Sequence, residues 1–225
     1  MIVRDSGAIT LIGGAGATRA ALDAALRRAP VVVAADGGAD TALGFGIVPR
    51  AVIGDFDSIS ADARARLCGD TLHWIAEQDS TDFEKCLARV SAPLLVGVGF
   101  SGARLDHHMA TCNALVRFPA QRCVLLGEGD LMFLCPPELH LPLTAGARVS
   151  LFPMGAVTGT SQGLDWPIGG IDFAPDGRVG TSNRAQGDVT LRVTAPRMLV
   201  ILPAGDFETV ADALAASPAR WEGTA

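Results

Sequence analysis

The stretch 94–126, "LLVGVGFSGARLDHHMATCNALVRFPAQRCVLL", sets the fold. Its apolar run Leu94–Val98 is short, as a buried strand should be. A glycine-containing turn follows, and Leu105–Phe118 then reads as a helix. A second short apolar run, Cys123–Leu126, closes the unit. Strand, helix and strand in about thirty residues is the texture of a parallel sheet with crossover helices. Working back along the chain, the pattern repeats. Apolar runs at Ile9–Ile12, Val31–Ala34, Ala51–Ile53 and Leu72–Ile75 read as buried strands. The intervening stretches Thr18–Arg28, Ser60–Leu67 and Asp82–Arg89 read as helices. The fold expected is α/β, with a parallel three-layer α/β/α domain over residues 1–137.

The texture changes near Cys135-Pro136-Pro137. Short β-like runs broken by Gly and Pro follow at His140–Leu143, Arg148–Phe152, Ala156–Thr160, Asp188–Thr194 and Met198–Leu202. They predict a smaller, all-β sandwich over 138–225, and Phe207, Val210 and Leu214 at helical spacing add a helix in the tail. The 225 residues are 49% hydrophobic and 19% charged, which is enough for a sizeable core. A net charge of −6 and no basic run argue against nucleic acid as a partner. No apolar run is long enough to span a membrane, and the first residues lack the texture of a signal peptide. The five cysteines include no C-x-x-C, and the four histidines have no zinc spacing, so a cytoplasmic protein with reduced thiols is expected.

The acids fall at strand ends. Asp36 follows the second strand, Asp55 and Asp57 the third, Asp79 and Asp82 the fourth, and Arg104 and Asp106 the fifth. In a parallel sheet those carboxyl ends share the edge where α/β folds bind ligands. One Asp at such a junction is an ordinary helix cap. Acids at successive junctions, some of them paired, ask for more. If the chain stays extended, Asp55 and Asp57 point the same way, and two close carboxylates repel. Mg²⁺ relieves that conflict and takes carboxylate and phosphate oxygens together. Gly37-Gly38, Gly54, Gly99 and Gly102 allow close backbone approach to an anion. Lys85 reads either as a phosphate-facing cation or as a solvated helix residue. The residues alone therefore predict a Mg²⁺-dependent enzyme acting on a nucleotide or another polyphosphate, and leave the acceptor open.

Taken together, "ADGGA" (35–39), "GDFDS" (54–58), "QDSTDFEK" (78–85) and "RLDH" (104–107) resemble, in order and spacing, the motifs of the thiamin pyrophosphokinases. "GLDWP" (163–167) and "TSN" (181–183) are similar to that family's C-terminal motifs. The resemblance runs from about residue 8 to about residue 202. It implies transfer of a diphosphoryl group from ATP to the hydroxyl of thiamin, giving thiamin diphosphate and AMP. It further implies an ATP- and Mg²⁺-binding domain, a thiamin-binding and dimerisation domain, and a homodimer whose thiamin sites are shared between chains. It assigns Asp55, Asp57 and Asp82 to the metal, and Asp57, Asp82, Arg104 and Asp106 to catalysis. Asp36, Gly37, Gln78, Ser80, Thr81 and Lys85 fall to the nucleotide, and Ser182, Asn183 and Trp166 to thiamin. Read without it, Ser182-Asn183 is a turn dipeptide and Trp166 a core or turn anchor. Two positions and the segment "HMATCN" (108–113) depart from the family pattern. Ala103 stands where glycine is usual, and Asp40 where asparagine is common. A Mg²⁺-dependent hydrolase and a non-catalytic nucleotide- or thiamin-binding protein are the competing readings.

Overall fold

The computed structural model describes residues 1–102 and 104–223. The chain divides into two compact units, Met1–Ala114 with Leu125–Glu128, and Leu115–Val124 with Gly129–Ala225.

The first unit alternates strands and helices. The elements along the chain up to Glu128 are β1 (Val3–Arg4), β2 (Ile9–Ile12), α1 (Arg19–Arg28), β3 (Val31–Ala35), α2 (Gly38–Gly44), β4 (Ala51–Gly54), α3 (Ala61–Arg66), β5 (Leu72–Trp74), α4 (Asp82–Arg89), β6 (Val90–Ser91), β7 (Leu95–Val98), α5 (Leu105–Arg117) and β8 (Cys123–Leu126). The strand order is β8-β7-β2-β3-β4-β5. β2 pairs in parallel with β3 and β7, β3 with β4, and β4 with β5. All four residues of β2, β4, β7 and β8 are buried, which explains their mostly apolar runs; the one polar side chain, Thr10, donates to the Ala29 carbonyl at 2.6 Å. The short β1 pairs with β6 apart from this sheet.

Local chemistry sets the helix starts. Thr18 caps α1 by accepting from the Ala21 amide, and Ser60 caps α3 by accepting from that of Ala63. α2 starts on Gly37-Gly38, a poor helix opening on propensity. Its position demands glycine, because a Cβ on Gly38 would lie 2.0 Å from the Ile12 carbonyl oxygen. The chain runs outward from β2 to β5 and returns to β7 on the other side of β2. The strand order therefore reverses between β2 and β7, where open α/β sheets leave a crevice. There, a Cβ on Gly13 would lie 2.4 Å from the Gly99 carbonyl oxygen, so the two loops meet backbone to backbone.

The second unit is antiparallel and carries β9 (Asp130–Leu134), β10 (Glu138–Leu141), β11 (Arg148–Pro153), β12 (Gly159–Leu164), β13 (Gly180–Val193), β14 (Met198–Pro203) and α6 (Phe207–Ala216). The order is β10-β13-β11-β14-β9, with β12 also on β13. The 14-residue β13 pairs with β11 through its first residues, and with β10 and β12 through its last. β9 lies ahead of the Pro136-Pro137 pair, so antiparallel structure begins before the change in sequence texture. After α6, Trp221 donates from Nε1 to the Cys135 carbonyl at 2.8 Å, and Arg122 donates to the Ser217 carbonyl. No cysteine among the described residues is in a disulfide; Cys68 is exposed, Cys112 half-buried, and Cys86, Cys123 and Cys135 buried. No helix among the described residues is long and apolar enough to cross a membrane.

Candidate active site

The site begins where β3 and β4 end. Asp36 takes φ 42°, a left-handed conformation that Asp tolerates better than most side chains. Its carboxylate is buried: Oδ1 accepts from the Ile59 amide at 2.9 Å, while Oδ2 has no partner among the described residues. Gly54 makes room for it, since a Cβ there would lie 2.7 Å from the Asp36 Cβ. β4 stops at Gly54, and Phe56 turns the chain with φ 64°. Asp55 and Asp57 are thus brought together by a tight turn and not by strand alternation. The Asp57 amide lies 3.4 Å from Asp55 Oδ1, and Ser58 Oγ donates to Asp57 Oδ1 at 2.7 Å. Carboxylate oxygens of Asp36, Asp55 and Asp57 all lie within 4.8 Å of one another.

The loop before α4 supplies the other side. Glu77 ties it down, accepting from the amides of Asp79 and Ser80 at 3.0 and 3.1 Å and from Ser80 Oγ at 2.5 Å. Thr81 and Glu84 form a capping box: the Glu84 amide donates to Thr81 Oγ1 at 3.3 Å, and the Thr81 amide to Glu84 Oε2 at 2.9 Å. The cap is therefore complete without Asp82. Asp82 instead faces Lys85, whose Nζ lies 3.1 Å from Asp82 Oδ1 and 3.1 Å from Asp55 Oδ2. Only 2% of the Lys85 side chain is exposed, so it is a buried bridge and not a solvated helix residue. Gln78 Nε2 also donates to Asp55 Oδ2, at 2.8 Å.

These contacts push the carboxyls apart in acidity. Burial, reinforced by the charge of Asp82 and by Asp55, raises Asp36 to about 6. Burial also works to raise Asp55, but hydrogen bonds from Lys85 and Gln78 outweigh it and bring that carboxyl down to about 2. Asp82 stays above the usual range because burial outweighs its bonds to Lys85. For Lys85 the balance goes the other way: burial would lower it, and the hydrogen bonds to Asp82 and Asp55 raise it.

The expected site residues divide accordingly. Asp36, Asp55 and Asp57 converge, and Asp82, Gln78 and Lys85 join them through Asp55 and the Lys85 bridge. The side chains of Ser80 and Thr81 are engaged by Glu77 and Glu84. Gly37 sits under Ser58, where a Cβ would lie 3.2 Å from the serine Cβ. Arg104 and Asp106 form an exposed pair of their own, with Nη2 at 2.6 Å from Oδ2. Ala103 lies outside the described residues. Asp40 accepts from the Ser60 amide at 2.9 Å and from Ser60 Oγ, linking α2 to α3. Sequence reasoning missed Glu77, Glu84 and Trp74, whose Nε1 donates to the Asp55 carbonyl at 3.1 Å. The T-x-x-E spacing of Thr81 and Glu84 was a readable signal; Glu77 and Trp74 offered none.

In the second unit, a cleft of about 270 Å³ is lined by Trp166, Ile168, Phe173, Arg178, Ser182 and Asn183, among others. Asn183 is buried and pins Trp166: its Oδ1 accepts from the Trp166 amide at 3.2 Å and its Nδ2 donates to the Trp166 carbonyl at 2.7 Å. Ser182 takes φ 61°, and its amide donates to Ser150 Oγ at 3.0 Å.

Residues 22–126 match the family model of the thiamin pyrophosphokinase catalytic domain. That segment, just under half of the chain, is similar to the catalytic domain of the thiamin pyrophosphokinases. The chain is 29% identical over 171 residues to thiamine pyrophosphokinase 1 of Oryza sativa subsp. japonica, covering 68% of this chain and 64% of that one. With thiamine pyrophosphokinase 1 of Arabidopsis thaliana it shares 29% over 154 residues, 60% of this chain and 58% of the relative. The matched segments thus span less than two thirds of these relatives. Among solved structures, thiamin pyrophosphokinase from Candida albicans superimposes with a TM-score of 0.74 at 16% identity, covering 89% of this chain and 92% of its own. The yeast thiamin pyrophosphokinase gives 0.72 at 18% identity, covering 92% and 89%. These structural likenesses establish a shared fold. The family match contains the whole acidic cluster, the Lys85 bridge and the Arg104–Asp106 pair, and ends before the Trp166 cleft.

Proposed function

We propose that the chain is a thiamin diphosphokinase, moving a diphosphoryl group from ATP to the hydroxyl of thiamin in the cytoplasm. The observation that carries this reading is the carboxylate trio of Asp36, Asp55 and Asp57, with one oxygen of buried Asp36 unpartnered. Hard oxygen donors at this spacing suit Mg²⁺, and an orphaned buried carboxylate oxygen is what a bound cation would satisfy. Asp36, Asp55 and Asp57 would hold the ion, with Asp82 beside them. Bound there, Mg²⁺ would neutralise phosphate charge.

The chain's own groups supply alignment and charge. Lys85 keeps Asp55 ionised and fixes its direction. Arg104, exposed and oriented by Asp106, is placed to take phosphate oxygens through its fork of N–H groups. The glycine contact between the β2 and β7 ends lets backbone come close to an anion. In the reaction the thiamin hydroxyl oxygen bonds to the β-phosphorus, the bond from that phosphorus to the bridging oxygen breaks, AMP leaves with that oxygen, and the hydroxyl proton passes to solvent. The Trp166 cleft is the thiamin subsite in this reading. We further propose a homodimer, each thiamin site being completed by the second unit of the partner chain.

Purified protein incubated with ATP, Mg²⁺ and thiamin should form thiamin diphosphate and AMP in equal amounts, identified by mass. ADP with thiamin monophosphate would overturn the diphosphoryl assignment. AMP formed equally fast without thiamin would make the protein a hydrolase.

A further inference from the structure

Trp166 is 59% exposed, an unusual place for a large aromatic unless something meets it. Asn183 fixes its backbone through two hydrogen bonds, but backbone fixation leaves the side-chain torsions free. The ring needs a second restraint, and Arg184 provides it. The Arg184 guanidinium carbon lies 5.9 Å from the Trp166 ring centroid, within cation–π range. Arg184 is itself long and 59% exposed, and would wander if nothing held it. Asp165 holds it: Arg184 Nε donates to Asp165 Oδ2 at 2.5 Å, and the Asp165 amide donates to the Arg184 carbonyl at 2.9 Å. The Arg184 amide in turn donates to Asn183 Oδ1 at 2.8 Å. Two adjacent residues on one segment are thus locked to two adjacent residues on β13.

An exposed ion pair of this kind contributes little to stability by itself. Its position is what matters, because the guanidinium covers one face of a ring that lines the cleft. We infer that Arg184, held by Asp165, is a positioning residue that fixes the Trp166 ring and leaves one face of it to stack on a flat aromatic ring of the bound ligand. This rests on the reading of the cleft as the thiamin subsite.

The test labels the protein with 5-fluorotryptophan and compares wild type with Arg184→Met, Arg184→Lys and Asp165→Asn. The chain has three tryptophans, so three fluorine signals appear, and Trp166→Phe assigns one. In Arg184→Met the Trp166 signal should shift and broaden without ligand while the other two stay. The KM for thiamin should rise about fivefold, the scale of losing one cation–π contact and the order it imposes, with the KM for ATP unchanged and kcat within about twofold. Arg184→Lys should fall between, and Asp165→Asn should resemble Arg184→Met. An unmoved Trp166 signal overturns the inference, as does a moved signal with an unchanged KM for thiamin. If the wild type makes no thiamin diphosphate, the proposed function fails. The fluorine signal then still decides whether Arg184 positions the ring.

Discussion

Asp36 is costly to the fold, and in the proposed function it is needed by the site. Its carboxyl is displaced from an ordinary 3.8 to about 6, so the folded protein resists its ionisation. That cost is absent below about pH 4 and grows as pH rises through 6. Asp55, brought down to about 2, acts in the opposite sense: its contribution is present above about pH 4 and lost as pH falls towards 2. The stability these two carboxyls lend the metal-free protein should therefore peak near pH 4. Asp36→Asn keeps the acceptor for Ile59 and tolerates φ 42°, but removes the charge. It should stabilise metal-free protein at pH 7.5 by up to about 3 kcal/mol, for a pKa displaced by about two units, and so raise its melting temperature, leaving it unchanged at pH 4. Added Mg²⁺ should stabilise the wild type and scarcely affect the variant. Scanning calorimetry at the two pH values, with and without Mg²⁺, checks all three outcomes. Asp82 gives a different test, because Thr81 and Glu84 already cap its helix. Asp82→Asn should cut kcat by about a hundredfold or more, the scale of one strong electrostatic contribution, with little change in Tm. A stable variant with near-normal turnover would leave Asp82 no catalytic part.

At the scale of elements, the end of β4 is the point on which the acids depend. A methyl group on Gly54 would lie 2.7 Å from the Asp36 Cβ, and Asp36 would have to move. Gly54→Ala should keep the far-ultraviolet circular dichroism of the wild type, yet lose Mg²⁺-dependent stabilisation and at least tenfold in turnover. Unaltered Mg²⁺ stabilisation would show that Asp36 need not hold its place. Elements of this kind differ in how far their sequences disclose them. α4 occupies the expected Asp82–Arg89 because a cap, an acidic first turn and an apolar stripe agree there. β2 and β8 also fall on their expected residues, being isolated apolar runs buried on all sides. α2 was illegible, since its glycine opening is a packing demand of the Ile12 carbonyl and not a helix signal. β9 was hidden because "DLMFL" has neither clear alternation nor a turn marker on both sides. At the site, the convergence of acids was readable from their place after strands. The left-handed Phe56 and the burial of Lys85 were not, because both are set by neighbours distant in sequence.

For the whole molecule, the shared-site proposal predicts complementation between chains. Asp82→Asn and Asn183→Ala should each be nearly inactive alone, the second because Trp166 loses its anchor. In a mixed dimer one composite site carries both defects and the other neither. Equal random mixing makes half the dimers mixed, so activity should recover to about one quarter of wild type. Mixed dimers shown by mass spectrometry to form without recovery would place Asn183 in its own chain's service. A separate consequence lies in the sulfur atoms. Burial makes the thiols of Cys86 and Cys135 hard to ionise, raising Cys135 to about 12, while Cys68 stands in solvent. Cys86 belongs to the first unit and Cys135 to the second. A maleimide at neutral pH should consume Cys68 within the first minutes and reach the other two only when their surroundings open. With Cys68 blocked beforehand, peptide-resolved alkylation becomes a pair of clocks, each timing how often one half of the chain breathes.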